Sequence, residues 1–250
     1  MDIIRNYDSV KVMRTGRVDA VDPVMIEQTI DLLVNGTRLS SIVTTPERHK
    51  ELAVGYLVTE GAVHSRNDIL GVTQEGNKVD VQVKSFEHFD LWYELRSSGC
   101  IGISWGQRED DIVLPVDQKF GIGVILDSIS YLFSEVHDMT RGAHSACLVD
   151  ADGKLVYKAL DVGRHNAIDK VVGAATIDGV DLTKLFLISS GRQPAGMVMK
   201  AMRAKIPLIV SKAAPVSSGI ETARRANLTL CCFADREKVK AFSCPERIIV

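Results

Sequence analysis

From Ser145 to Phe233 the chain alternates short apolar runs with helix-like stretches, and this alternation confines its second half to a layered α/β architecture. Strands are predicted at Ser145–Asp150, Lys154–Leu160, Leu185–Ile188, Pro207–Val210 and Leu228–Phe233. Ala151-Asp152-Gly153 turns the first into the second. Ala167, Ile168, Val171, Val172 and Ala175 have the spacing of a buried helix face. Further helices begin near Ala195 and Ser217. The order predicts a largely parallel sheet, in which ligands sit beyond the strand ends.

The first half reads as a small α+β unit. Ile26–Val34 and Arg38–Thr44 are extended runs joined by Asn35-Gly36, the dipeptide of a type I′ hairpin. Thr45 is predicted to cap a helix with Pro46 at its first position and Gly61 at its end. Strands follow near Ile69–Thr73, Lys78–Lys84 and Leu91–Arg96. Hairpin, helix and further strands are the order of a β-grasp-like roll. Arg96–Gln107 is predicted as a loop between the halves, and Asp127–His137 as a helix.

Composition removes several classes of function. A net charge of -2 over 250 residues argues against a general nucleic-acid or membrane-surface binder. Phe120–Leu126 and Leu228–Phe233 are strand-sized apolar runs, far short of a membrane span, and the N-terminus does not resemble a signal peptide. A cytoplasmic protein is expected. Five cysteines without regular spacing do not form a disulfide framework, so a reactive one is a free thiol.

The densest polar segment is LDVGRHNAIDK, Leu160–Lys170. Asp161 is placed to cap the following helix, and His165 and Asp169, four apart, share a helix face. A cap with a surface ion pair is one reading; a polar cluster at a strand end, facing a ligand, is the other. Two junctions look alike: LISSGRQPAG (Leu187–Gly196) and IVSKAAPVSSG (Ile209–Gly219). Each leaves a strand through small residues, carries Arg192 or Lys212, and enters a helix whose free N–H groups favour anions. Short polar turns of this kind are also common without function.

Cys100 is the cysteine expected to react, since glycines flank it and Arg96 is near. Cys147, Cys231 and Cys232 lie in apolar strands and are expected to be buried. No C-x-x-C pair, H-x-x-x-H pair or zinc-deaminase signature is present, so no catalytic metal is expected.

These residues resemble the FdhD family, the accessory sulfurtransferases of formate dehydrogenase. DVGRHNAIDK from Asp161 is the most specific match. LAVGYLVTEGAVHSRND (Leu52–Asp68), Gly142 with His144, Ser189–Arg192 and Asn227–Leu230 support it, over a span from Leu32 to about Phe242. The resemblance implies a cytidine-deaminase-like layered α/β domain (108–250) after a smaller β-grasp-like domain (1–107) that ends in the Cys100 loop. It implies a sulfur carrier that takes sulfur from a cysteine desulfurase as a Cys100 persulfide. The sulfur passes to a molybdenum or tungsten bis(molybdopterin guanine dinucleotide), the cofactor of the client formate dehydrogenase. A non-catalytic cofactor-binding chaperone is the alternative. The family's cofactor-contacting strand end falls on Phe233, Ala234, Asp235, Arg236, Glu237 and Lys238. Ser190, Gly191, Arg192, Asp161, Arg164, His165 and His144 are the other expected contacts. The family's second loop cysteine falls on Ile103, and an acidic position of the family falls on Gly196. A homodimer is the base-rate expectation.

Overall fold

A computed structural model describes residues 3–84, 92–96, 100–104, 112–115 and 117–250, with 92–96 and 100–104 described by their backbone. The chain opens with an antiparallel ribbon, β1 (Ile4–Met13) and β2 (Gly16–Met25), whose strands pair with each other only. At its base, Met25 lies against Gly142, where an added Cβ would be 3.0 Å from Cγ of Met25. The sequence reading missed this ribbon because its polar and apolar residues do not alternate cleanly.

A four-stranded sheet follows, in the order β4-β3-β6-β5. It comprises β3 (Gln28–Val34), β4 (Thr37–Thr44), β5 (Ile69–Glu75) and β6 (Lys78–Val83). The predicted hairpin is present, with Asn35 at φ 50 and Gly36 at φ 80, as a type I′ turn requires. β3 and β6 run parallel, Leu32 opposite Val79. Helix α1 (His49–Thr59) covers this sheet and ends at Glu60 with Gly61 at φ 80, as expected. Its start differs from expectation. Arg48, at φ 55, is the N-cap, and Pro46 lies outside the helix. Thr45 is unavailable as a cap because its hydroxyl and N–H are turned to Asp161.

β7 (Trp92–Arg96) and β8 (Cys100–Ser104) form an antiparallel pair, Arg96 opposite Cys100. The expected loop is thus a strand pair over this part. The apolar run from Phe120 is only briefly a strand: β9 (Phe120–Gly121) pairs with the C-terminal β16 (Ile248–Ile249), and α2 (Ile122–Ser128) takes over. Short apolar runs fit either state, and tertiary packing decides. The helix expected over Asp127–His137 is instead the end of α2, a 3-10 turn at Ile129–Leu132, and α3 (Glu135–Thr140), which Ser134 caps.

The second sheet has six strands in the order β11-β10-β12-β13-β14-β15. They are β10 (His144–Val149), β11 (Leu155–Asp161), β12 (Phe186–Ser189), β13 (Leu208–Ser211), β14 (Thr229–Cys232) and β15 (Lys240–Ser243). Helices α4 (Arg164–Ile177), α5 (Ala195–Arg203) and α6 (Ser217–Arg225) connect them. Only β12-β13 and β13-β14 are parallel. The expectation of a largely parallel sheet is corrected to a mixed one. The tight turn at Ala151–Gly153 forces β10 against β11 in antiparallel register, and β10 then lies between β11 and β12, antiparallel to both. As a result β11, β12, β13 and β14 all point to the same edge.

The strands alternate between two apolar layers. Cys147, Val149, Phe186, Ile188, Leu208, Val210 and Cys231 pack with Ile125 of α2 on one face. Ala146, Leu148, Leu187, Ile209 and Leu230 pack with α4 and α5 on the other. That second layer continues without a break into Leu52, Leu57, Ile30, Leu32, Val79 and Val81 of the N-terminal unit. The two units meet where α1 crosses α4, backbone on backbone. A Cβ on Gly55 would fall 1.7 Å from the Asp169 carbonyl oxygen, and one on Gly173 would fall 1.8 Å from that of Glu51.

Candidate functional site

The signature segment divides between the seam and the sheet edge. Asp161, at the end of β11, is fully buried and saturated. One carboxylate oxygen meets Lys170 Nζ at 2.7 Å and accepts from the Thr45 N–H at 3.2 Å and from the Thr44 hydroxyl. The other accepts from Gly163 N–H at 2.8 Å and Asn166 Nδ2 at 3.0 Å. Gly163 is the N-cap of α4, so Asp161 ties the helix start without capping it. Asp161 therefore fixes β4, β11 and α4 to one another.

Asp169 is buried too, which overturns the surface ion pair read from the sequence. Its carboxylate accepts from Thr59 Oγ1 at 2.6 Å and from Lys200 Nζ at 2.9 and 3.0 Å. Lys200 also reaches Glu60 at 3.0 Å, and Arg203 reaches Glu60 at 3.3 Å. Burial opposes the Lys200 charge, but the Asp169 and Glu60 carboxylates outweigh it and hold the ammonium protonated. Sequence reasoning missed this cluster because its members come from three elements far apart in the chain.

The exposed chemistry lies where the strands end. β10 begins at His144, opposite Asp161, and β12 ends beside it. His144 Nδ1 is 3.2 Å from Ser190 Oγ, which also accepts from Ser145 N–H at 3.0 Å. The half-buried His144 ring is held below the usual histidine range, first by burial and then by the Arg164 charge. Arg164 lies across Gly191: a Cβ on that glycine would be 2.9 Å from Arg164 Cβ and Cδ. Gly191 is thus the space Arg164 occupies. His165, half-buried, is one residue further along α4.

The two similar junctions lie side by side. Gln193 and Pro215 form a parallel bridge, and Gln193 N–H donates to Ala214 O at 3.1 Å. Gly219 permits this approach, since a Cβ there would meet Gln193 O at 2.1 Å. The helices that follow start at Pro194 and Val216, whose own side chains cap nothing, and Ser218 Oγ accepts from the Ala195 N–H at 3.3 Å. Pro and Val are poor caps, so helix N–H groups are left for another acceptor. Arg192 and Lys212 are exposed, and their side chains make no hydrogen bond or ion pair among the described residues.

Beyond β14 the predicted segment has divided roles. Phe233 is 43% exposed and sits at φ 52, an unfavoured backbone for an aromatic residue. Its N–H donates to Ala213 O at 3.2 Å, and Lys240 Nζ is 5.4 Å from its ring centroid. Ala234 is buried. Asp235 builds the turn: its carboxylate accepts from Glu237 and Lys238 N–H groups at 2.8 and 2.9 Å, which lower its pKa. Arg236, Glu237 and Lys238 are exposed on that turn.

Cys147, Cys231 and Cys232 are buried as expected, and burial pushes each thiol up to about 12. The half-buried Cys244 is also raised, first by burial. The side chain of Cys100, the expected carrier, lies outside the described residues; its backbone is the first residue of β8. Among the described residues no three His, Cys, Asp or Glu side chains are grouped to hold a metal ion, and no helix is long and apolar enough to cross a membrane.

The sequence pattern of the FdhD/NarQ family matches residues 25–249. The chain belongs to this family. It is 36% identical to the sulfur carrier protein FdhD of Methanothermobacter thermautotrophicus, over 100% of both chains. It is 37% identical to that of Thermoplasma volcanium, over 84% of this chain and 81% of the relative. In fold it matches a solved protein of Desulfotalea psychrophila, described as a formate dehydrogenase accessory protein, with a TM-score of 0.83 at 24% identity, over 99% and 100% of the two chains. The family pattern begins at the foot of the β1-β2 ribbon, and it covers the seam and the sheet edge entirely.

Proposed function

We propose that this family member is a sulfur carrier for formate dehydrogenase. In this reading Cys100 takes a sulfane sulfur from a cysteine desulfurase. The Cys100 thiolate attacks the outer sulfur of the donor's persulfide, the donor's S–S bond breaks, and the donor thiolate leaves, so the step is neutral in electrons. The sulfur then goes to a molybdenum or tungsten bis(pterin guanine dinucleotide), the cargo held on the sheet edge: the Cys100 S–S bond breaks, the Cys100 thiolate leaves, and the two electrons that bring the sulfur to a sulfido ligand come from the reduced metal of that cargo. One carrier thiol suffices for this, which accommodates Ile103 in the position of a second cysteine.

The observation that carries the reading is the sheet edge itself. Two adjacent helix starts whose N-cap residues give no side-chain cap, the Arg192 and Lys212 side chains without partners among the described residues, and Arg164 across Gly191 suit a diphosphate. The exposed Phe233 ring beside them suits a flat base. The order β4-β3-β6-β5 with one central parallel pair supports a β-grasp-like N-terminal unit. The α-covered mixed sheet supports a cytidine-deaminase-like domain after it.

Mass spectrometry after incubation with desulfurase and cysteine tests the transfer. Wild type should gain the mass of one sulfur on the peptide containing Cys100, and Cys100→Ser should gain none and leave the client enzyme inactive. A Cys100→Ser protein that matures the client fully would instead make the protein a cofactor chaperone.

A further inference from the structure

His144 is the first residue of β10 and stands between the ends of β11 and β12. Its Nδ1 faces Ser190 Oγ at 3.2 Å. Ser190 is fixed by two further bonds: its N–H donates to Ser145 O at 3.0 Å, and its Oγ accepts from Ser145 N–H at 3.0 Å. The Ser190 hydroxyl proton has no acceptor other than His144 Nδ1 among the described residues. A hydroxyl has one proton to give, so the satisfied arrangement is Ser190 O–H donating to an unprotonated Nδ1. A neutral ring then carries its proton on Nε2. That atom has no hydrogen-bond partner among the described residues, and it is not among their buried orphan atoms.

Burial disfavours a proton on the ring first, and the charged neighbours add to it. Arg164 on α4 and His137 on α3 oppose a proton on it, and Asp161 on β11 favours one, but Asp161 is already bound to Lys170 at 2.7 Å. An imidazolium would also leave the Ser190 proton without an acceptor.

From this geometry we infer that His144 is the neutral hydrogen-bond donor of the sheet edge, its tautomer set by Ser190 and its Nε2–H offered to a phosphate oxygen of the bound nucleotide. The inference rests on the nucleotide reading above. Arg164, Arg192 and Lys212 already supply positive charge there. His144 adds direction to one oxygen without adding a fourth cation, and Ser190 acts through it as a positioning residue.

The first test needs no ligand. In full-length protein with 15N-histidine, long-range 15N–1H correlation at neutral pH should show His144 as the Nε2–H tautomer, assigned by its loss in His144→Gln. Ser190→Ala should mix the tautomers. The second test uses guanosine diphosphate and inorganic pyrophosphate as probes in calorimetry. His144→Gln keeps an N–H near the Nε2 position and should bind both within about twofold of wild type. His144→Asn keeps only the Nδ1-side group and should bind both roughly three- to tenfold more weakly, with an unchanged melting temperature. An Nδ1–H tautomer, or His144→Asn binding both probes as tightly as wild type, would overturn the inference. Weaker guanosine diphosphate binding alone would move the contact from phosphate to the nucleoside and overturn the assignment too. If wild type binds neither probe, the nucleotide reading fails by itself, and a His144 donor for this ligand class is excluded with it.

Discussion

The seam between α1 and α4 and the open edge of the six-stranded sheet are built from the same side-chain types. At the seam Asp161, Asp169, Lys170 and Lys200 are buried, and each meets opposite charge or hydroxyl groups. At the edge the Arg192 and Lys212 side chains are exposed with no such partner among the described residues, and two helices start at residues whose own side chains give no cap. Saturation separates the roles. A buried charge must be paired to be tolerated, so the seam has no bonding capacity left for a ligand. The edge keeps its capacity and relies on the seam to hold it rigid.

The largest effect should come from filling the seam. Gly55→Ala and Gly173→Ala each drive a Cβ into a carbonyl of the facing helix, and backbone on both sides leaves nothing to yield. Each should cost about 3 kcal/mol or more and leave little folded protein. Urea denaturation measures this; a midpoint within error of wild type would show that α1 and α4 do not cross as closely as described.

Lys200→Met comes next. It leaves Asp169 and Glu60 buried without their shared cation, and burial already raises the Asp169 pKa. A loss of about 3–5 kcal/mol is expected, partly recovered when Asp169→Asn is added, because the orphaned charge is then gone. A double mutant no more stable than Lys200→Met would mean that the cluster is not the charged unit described.

At the edge the ranking reverses. Arg192→Ala with Lys212→Ala should change stability by no more than about 0.5 kcal/mol, since neither makes an internal contact of this kind. Binding of guanosine diphosphate should fall roughly tenfold or more, the cost of charge-assisted bonds. Equal binding with lowered stability would exchange the roles assigned to the two regions.

The contrast also separates what a sequence displays from what it conceals. The Asn35-Gly36 hairpin, Gly61 and the strand–helix order are written locally, in backbone preferences and apolar period, and the structure bears them out. The three strand-bound cysteines were legible from their apolar neighbours. Asp161, Arg164, His144, Ser190, Gly191 and Arg192 do converge, since a strand end is a position that chain order fixes. Their roles were not legible. Asp161 is the last residue of a strand, but only the arrival of Thr44 and Thr45 from the other unit commits it to structure. Lys200 reads as an ordinary helix lysine until Glu60 and Asp169 are placed beside it. The antiparallel placement of β10 required knowing that β12 joins its free side.

The smallest effect is set by two histidines, one on each side of the comparison. His49 lies at the start of α1, its ring nitrogens 2.9 Å from Gln28 Nε2 and 3.1 Å from Gln74 Nε2. Burial lowers its pKa first, the Thr45 carbonyl opposes this, and the Lys170 charge lowers it further. An unfolded histidine takes up its proton near pH 6.5, about where stability should begin to change. Because the folded ring resists the proton, the unfolded chain binds more protons as the pH falls, so stability is complete above that point and declines below it until the folded pKa is passed. His144 has the same sign. Urea denaturation between about pH 7 and 5.5 should therefore show a falling midpoint in wild type. The fall should be shallower in His49→Gln and in His144→Gln, and shallowest in the double variant, while nucleotide affinity at neutral pH stays near wild type in all three. A slope on acidification that is the same in wild type and in the double variant would show that neither ring resists its proton in the folded state.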